Sequence, residues 1–147
     1  MQINPNIIHA NGILKPCEST ECQQNGIDVT VSETITVPAK GFLNVLCNET
    51  VDIPSGMFAT TNIRSSFSRK GIFTTTGLWD SGYCIQNDDG TTSHAPVGCS
   101  IYNLGDEDIT IEKDTRIMQM VFWQGEEAAM YDGHYNQTQS IESQFDK

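Results

Sequence analysis

Ile27-Asp28-Val29-Thr30-Val31 alternates apolar and polar side chains one for one. A strand points successive side chains to opposite faces, so a period of two marks a strand rather than a helix. The same period recurs at Ile35-Thr36-Val37 and from Phe42 to Leu46. Further strands read at Cys99-Ser100-Ile101-Tyr102, at Ile109-Thr110-Ile111 and from Ile117 to Trp123. Turn chemistry separates them: Pro38-Ala39-Lys40-Gly41, Pro54-Ser55-Gly56, Asn87-Asp88-Asp89-Gly90 and Leu104-Gly105-Asp106. Short strands at close spacing predict an all-β barrel, sandwich or jelly roll. Ser65-Ser66-Phe67-Ser68-Arg69-Lys70-Gly71 breaks the pattern. Its serines can cap a helix start and its glycine can end one, so it reads as a single short helix. Asn4 to Gly12 reads as a second short turn or helix.

The chain has 147 residues, enough for one domain with a real core. It carries 19 acidic against 8 basic side chains, a formal net charge of -11. Such a chain repels a polyanion, which argues against a nucleic acid polymer as partner. The basic residues are Lys15, Lys40, Arg64, Arg69, Lys70, Lys113, Arg116 and Lys147, and three of them fall between positions 64 and 70. The opening Met1 to Asn6 has neither a basic nor an apolar signal region, so no signal peptide is expected. The longest apolar stretch, Ile117 to Trp123, is broken by Gln119, so no membrane span is expected. Cys17, Cys22, Cys47, Cys84 and Cys99 form no CxxC pair, so no zinc-type site is expected, and reduced thiols of a cytoplasmic protein are the plain reading. Residues 1–125 read as one β domain and residues 126–147 as a polar tail.

Arg64 to Lys70 is the first candidate site. A helix start offers free N–H groups, and serine hydroxyls with two arginines and a lysine add to a phosphate cradle. The plain alternative is a solvated basic turn. Gly77-Leu78-Trp79-Asp80-Ser81-Gly82-Tyr83 is the second. Its Asp80 has the chemistry to hold a water as general base, although Asp-Ser-Gly alone is ordinary turn chemistry. His9, His94 and His134 lie beside no nucleophile motif.

In order, these segments resemble the dUTPase and dCTP deaminase superfamily, in particular its dCTP-deaminase-like branch. Gln24-Asn25-Gly26-Ile27-Asp28-Val29 is similar to the first motif. Glu49 to Pro54 followed by Arg64 to Gly71 is similar to the second, and Gly77 to Tyr83 to the third. Arg116-Ile117-Met118-Gln119-Met120-Val121-Phe122 resembles the fourth, and Tyr131-Asp132-Gly133-His134-Tyr135-Asn136 the C-terminal one. The resemblance implies a distorted β jelly roll with one short helix, assembled as a homotrimer with active sites between subunits. It implies a deoxyribonucleoside triphosphate, dUTP above all, carried with Mg²⁺ that the phosphates mainly hold. Arg64, Ser65, Ser66 and Arg69 would hold phosphates and Gln119 would contact the nucleotide. Tyr83 would stack under the deoxyribose, and the tail with Tyr131 and Tyr135 would close over the triphosphate.

The reaction turns on two positions. In dUTPases of this superfamily the third-motif Asp activates water for attack on the α-phosphorus, and Asp80 is that residue here. Deaminases use a Glu on the following strand. Aligning on Asn103 puts Ser100 in its place, and a serine cannot exchange protons near neutral pH as Glu does. The expectation is hydrolysis of dUTP to dUMP and pyrophosphate. The alternatives are a dCTP deaminase, one with both activities, or a non-catalytic nucleotide-binding regulator. The departures are an insertion at Cys84 to Pro96 and, in the tail, His134 for the motif's Lys and Asn136 for its Gln. The compact length would suit a phage or virus.

Overall fold

The computed structural model describes residues 1–75 and 77–126. In chain order its elements are α1 (Pro5–Ala10), β1 (Leu14–Lys15), β2 (Glu21–Cys22), β3 (Ile27–Thr30), β4 (Ile35–Val37), β5 (Phe42–Val51) and β6 (Met57–Ile63), then α2 (Ser65–Ser68), β7 (Ile72–Phe73), β8 (Gly77–Trp79), β9 (Ile85–Gln86), β10 (Thr92–Ser93), β11 (Ala95–Asn103), β12 (Ile109–Ile111) and β13 (Arg116–Gln124). One sheet runs β1-β5-β11-β7 and a second runs β2-β3-β13-β6-β8. The pairs β4-β12 and β9-β10 complete the set. Neighbouring strands are antiparallel throughout. The result is all-β, as the alternation predicts, in the jelly-roll architecture that the resemblance implies. Among the described residues, no helix is long and apolar enough to cross a membrane.

The core lies between the two larger sheets. Val45, Cys47 and Val51 of β5 point into it, as do Cys99 and Ile101 of β11. From the other sheet come Ile27, Val29, Ala59, Met118, Met120 and Phe122. Burying a side chain of the size of Phe122 contributes about 2–3 kcal/mol. The chain start closes one end: Gln2 bridges Trp123, and Ile3 N donates to Phe122 O at 2.9 Å. Helix α1 has proline at its first turn, and the Asn4 side chain accepts from Asn6 N at 2.9 Å. Six residues do not hold a helix alone, so its buried Pro5 and Ile8 hold it to the body.

The second short helix read at Asn4 to Gly12 is present as α1. One detail corrects the sequence reading: the serines do not cap α2. Arg64 occupies its N-cap in extended backbone with no side-chain cap bond, and Ser68 Oγ instead donates back to Ser65 O at 3.1 Å. The turn read at Asp80-Ser81-Gly82 is present, closed by Tyr83 N donating to Asp80 O, and it follows an edge strand, Gly77–Trp79, whose Trp79 lies opposite Ala59.

One irregularity positions the site. The ladder between β13 and β3 slips by one residue between Arg116 and Met118. Ile117 and Met118 are therefore both buried in succession. Without the slip, Arg116 would share the inward face with Met118, Met120 and Phe122. The bulge re-aims it outward, on the same side as Gln119.

Candidate active site

A cleft of about 340 Å³ opens at the end of the five-stranded sheet, where β6 runs into α2. It is lined by Gln23, Asp28, Asn62, Ile63, Arg64, Ser65, Ser66 and Gln119. The register explains the grouping. Gln119 of β13 lies opposite both Asp28 of β3 and Asn62 of β6, so three outward side chains form one row across the sheet. Arg64, Ser65 and Ser66 follow directly from β6.

Asp28 is at the centre, with its side chain only 3% exposed. Gln23 Nε2 donates to its Oδ2 at 3.1 Å and Gln119 Nε2 to its Oδ1 at 3.4 Å. Arg64 Nε and Arg116 Nη1 each stand 3.5 Å from Oδ2. Arg116 also pairs with Glu21, and Arg64 Nη1 donates to Arg116 O at 3.3 Å. A buried carboxylate costs several kcal/mol unless paired, and here two guanidiniums and two carboxamides satisfy it. In return Asp28 fixes both arginines, whose side chains are 30% and 33% exposed. Half-exposed, oriented guanidiniums beside two serines are suited to bind phosphate oxygens. Gly26 is required here: a β-carbon on it would come within 2.6 Å of Gln119 Cγ and 2.9 Å of Met120 O.

Of the residues singled out from the sequence, Arg64, Ser65, Ser66 and Gln119 are brought together. Arg69 is exposed at the C-cap of α2 and does not line the cleft. Tyr131 and Tyr135 lie outside the described residues. Asp80 is exposed and elsewhere. Trp79 lies opposite Ala59, so Asp80 comes level with Phe58, four residues along β6 from Asn62. At about 3.4 Å per residue, that places Asp80 some 13 Å along the sheet from the cleft row, before the lateral spacing of strands is added.

The turn that carries Asp80 is held firmly. Tyr83 N donates to Asp80 O at 3.1 Å, Gly82 N to Ile53 O at 2.8 Å, and Ile53 N to Tyr83 O at 3.0 Å. Ser81 Oγ donates to Met57 O at 2.6 Å. Gly82 has φ +85°, a conformation that favours glycine. Tyr83 itself is 4% exposed, packs edge-on against Trp79, and donates its hydroxyl to Pro96 O at 2.9 Å. Its ring packs into the core, and its hydroxyl bond helps to hold the turn. The insertion at Cys84 to Pro96 is the β9-β10 hairpin. Thr92 Oγ1 fastens it to Asp52 at 2.6 Å, and His94 Nε2 donates to Gly12 O at 2.6 Å.

Ser100 Oγ donates to Asn44 Oδ1 at 2.6 Å across β5 and β11. Asn103 is a buried bolt: its amide donates to Val37 O and Glu107 O, and its carbonyl accepts from Gly105 N. All five thiols are free. The Cys99 thiol beside it, then burial, push the Cys47 thiol well above its ordinary value, and burial followed by the Asp52 charge raises Cys84. These are core thiols, not nucleophiles.

Sequence reasoning gave no role to Gln23, Asn62 or Arg116, and none to Asp28 although it stands in the first motif. The signals were the Asp of that motif and the Arg that opens the fourth. Among the described residues, no three His, Cys, Asp or Glu side chains gather to cage a metal ion, and Asp28 is the one carboxylate lining the cleft.

The family model for dCTP deaminase-like proteins matches residues 29–125. A probable deoxyuridine 5'-triphosphate nucleotidohydrolase of Methanosarcina barkeri is 28% identical, over 71% of this chain and 72% of the relative. A dCTP deaminase of Thermococcus sibiricus is 26% identical, over 82% and 74%. Among solved structures, the Staphylococcus bacteriophage 80alpha dUTPase with dUPNHPP superposes with a TM-score of 0.62 at 21% identity, over 82% of this chain and 86% of that one.

Proposed function

The chain belongs to the dCTP deaminase-like family, and from that premise we propose that it hydrolyses dUTP to dUMP and pyrophosphate. The observation that carries the choice of reaction is the contrast between Asp80 and Ser100. Asp80 offers an exposed carboxylate on a pinned turn. Ser100 stands where a deaminase needs its glutamate, and it has only a hydroxyl, engaged by Asn44.

In this reading Arg64, Ser65, Ser66 and Gln119 receive the triphosphate, with Arg116 behind them and Arg69 reaching in from the end of α2. Asp80 accepts a proton from the water that attacks the α-phosphorus. Its distance from the cleft favours a site divided between two copies. The Asp80 turn of one copy therefore serves the cleft of another, in a homotrimer with the sites between subunits. Tyr83 acts through the turn. The tail of residues 126–147, with Tyr131 and Tyr135, closes over the phosphates. The cleft suits a cation that arrives on the substrate: among the described residues its lining has one carboxylate, Asp28, and that is already matched. Mg²⁺ carried on the substrate would offset phosphate charge beside Arg64 and Arg116.

The similarity to named dCTP deaminases favours deamination as the second reading. A screen of deoxynucleoside triphosphates with Mg²⁺, read for both pyrophosphate and ammonia, decides between them. Pyrophosphate from dUTP without ammonia from dCTP is expected. Ammonia release would install the second reading, and tight binding with no turnover would make the protein a non-catalytic regulator.

A further inference from the structure

Glu49 opens the first half, Glu49 to Pro54, of a motif whose other half, Arg64 to Gly71, contributes to the cleft, yet it lies outside that cleft. It is fully buried. Among the described residues it forms no ion pair. Its carboxylate is satisfied by hydrogen bonds alone. Oε2 accepts from Thr30 N at 2.8 Å. Oε1 accepts from Thr30 Oγ1 at 2.8 Å, from Thr20 Oγ1 at 2.5 Å and, more weakly, from Cys17 Sγ at 3.6 Å.

These donors belong to two different segments. Thr30 ends β3, two residues past Asp28. Thr20 belongs to residues 17–23, which otherwise meet β3 only through the two-residue strand β2, where Glu21 lies opposite Asp28 and Cys22 opposite Ile27, and its hydroxyl also accepts from Cys17 N at 2.9 Å. The same segment carries Glu21, which pairs with Arg116, and Gln23, which donates to Asp28. One buried carboxylate thus ties the strand bearing the central Asp28 to the segment bearing two groups that orient the cleft.

We infer that Glu49 is a positioning residue for the anion cleft, acting through Thr20 and Thr30; the inference rests on reading that cleft as a polyphosphate site. A charge on Glu49 makes these bonds stronger than neutral ones. Freeing the 17–23 segment loosens Glu21 and Gln23, and with them Arg116 and Asp28.

Thr20→Val tests this most cleanly, because it cuts the link to the segment and leaves the β3 side of Glu49 intact. The probe is inorganic tripolyphosphate with Mg²⁺, measured by titration calorimetry on the full chain alongside the melting temperature and dUTP turnover. Losing a hydrogen bond to a charged group predicts binding weaker by about tenfold in Thr20→Val. Thr20→Ser, which keeps the hydroxyl, should bind as the parent does. Glu49→Gln should fall between them, with its fold verified by circular dichroism. Affinity unchanged within about twofold in a folded Thr20→Val would overturn the inference. So would a loss of affinity that Thr20→Ser shares, or a parent that binds no tripolyphosphate. A parent that binds tripolyphosphate but turns over no dUTP would instead overturn the proposed reaction and leave the role of Glu49 standing.

Discussion

The two ends of the five-stranded sheet are built on opposite principles. At the cleft, charge is buried and matched: Asp28 meets Arg64, Arg116, Gln23 and Gln119 within 3.5 Å. At the other end, Asp80 stands exposed, and it is the backbone around it that is held, by Ile53, Met57 and Pro96. A group that must orient an anion gains from preorganised partners. A group that must take a proton gains from being free to meet water and substrate. The difference underlies the proposal that one end holds the substrate and the other carries the chemistry.

The variants that separate the two ends rank as follows. Asp80→Asn removes the proton acceptor but none of the bonds that hold its turn. Turnover should fall by about a thousandfold in a pyrophosphate-release assay, with the melting temperature unchanged. Unchanged turnover would remove the chemistry from that end. Arg64→Ala should weaken triphosphate binding by about fiftyfold, since it deletes a charge-assisted donor. Here the split between KM and kcat is the check: a fall in kcat alone would deny the cleft its holding role. Asp28→Asn should destabilise the fold by about 2 kcal/mol in urea unfolding, because two guanidiniums lose their shared carboxylate. A neutral result would mean that the arginines need no internal partner. Tyr83→Phe should cost about 1 kcal/mol, the worth of one buried hydrogen bond to Pro96, and slow turnover only a few fold. A loss as large as that of Asp80→Asn would move Tyr83 from support into the chemistry.

Much of this was legible beforehand. The alternation at residues 27–31 marks β3, and the basic cluster with its serines marks half of the cleft. Strand β6 was hidden because its polarity is inverted. Small Ala59 and polar Thr61 face inward while Phe58 faces out, and Thr61 is satisfied there by Trp79 Nε1 at 3.4 Å. Asp28 reads as the solvent side of an alternating strand. Its burial depends on Arg64, Arg116 and Gln119, each at least 36 positions away, which no local pattern reports. The bulge at Arg116 is equally silent. The period of two predicts that Arg116 shares a face with Met118, and only the slipped ladder turns it toward Gln119.

The central claim is that a cleft on one copy and Asp80 on another make one working site. Asp80→Asn and Arg64→Ala, both nearly silent when dUTP is held at or below the parent's KM, can be unfolded together, refolded as a mixture and assayed at that substrate level. Random assembly leaves about a quarter of such shared sites with both groups intact. The account predicts that pyrophosphate release from dUTP returns to about a quarter of the parent's rate. A refolded mixture no more active than the sum of the two variants refolded separately would contradict it.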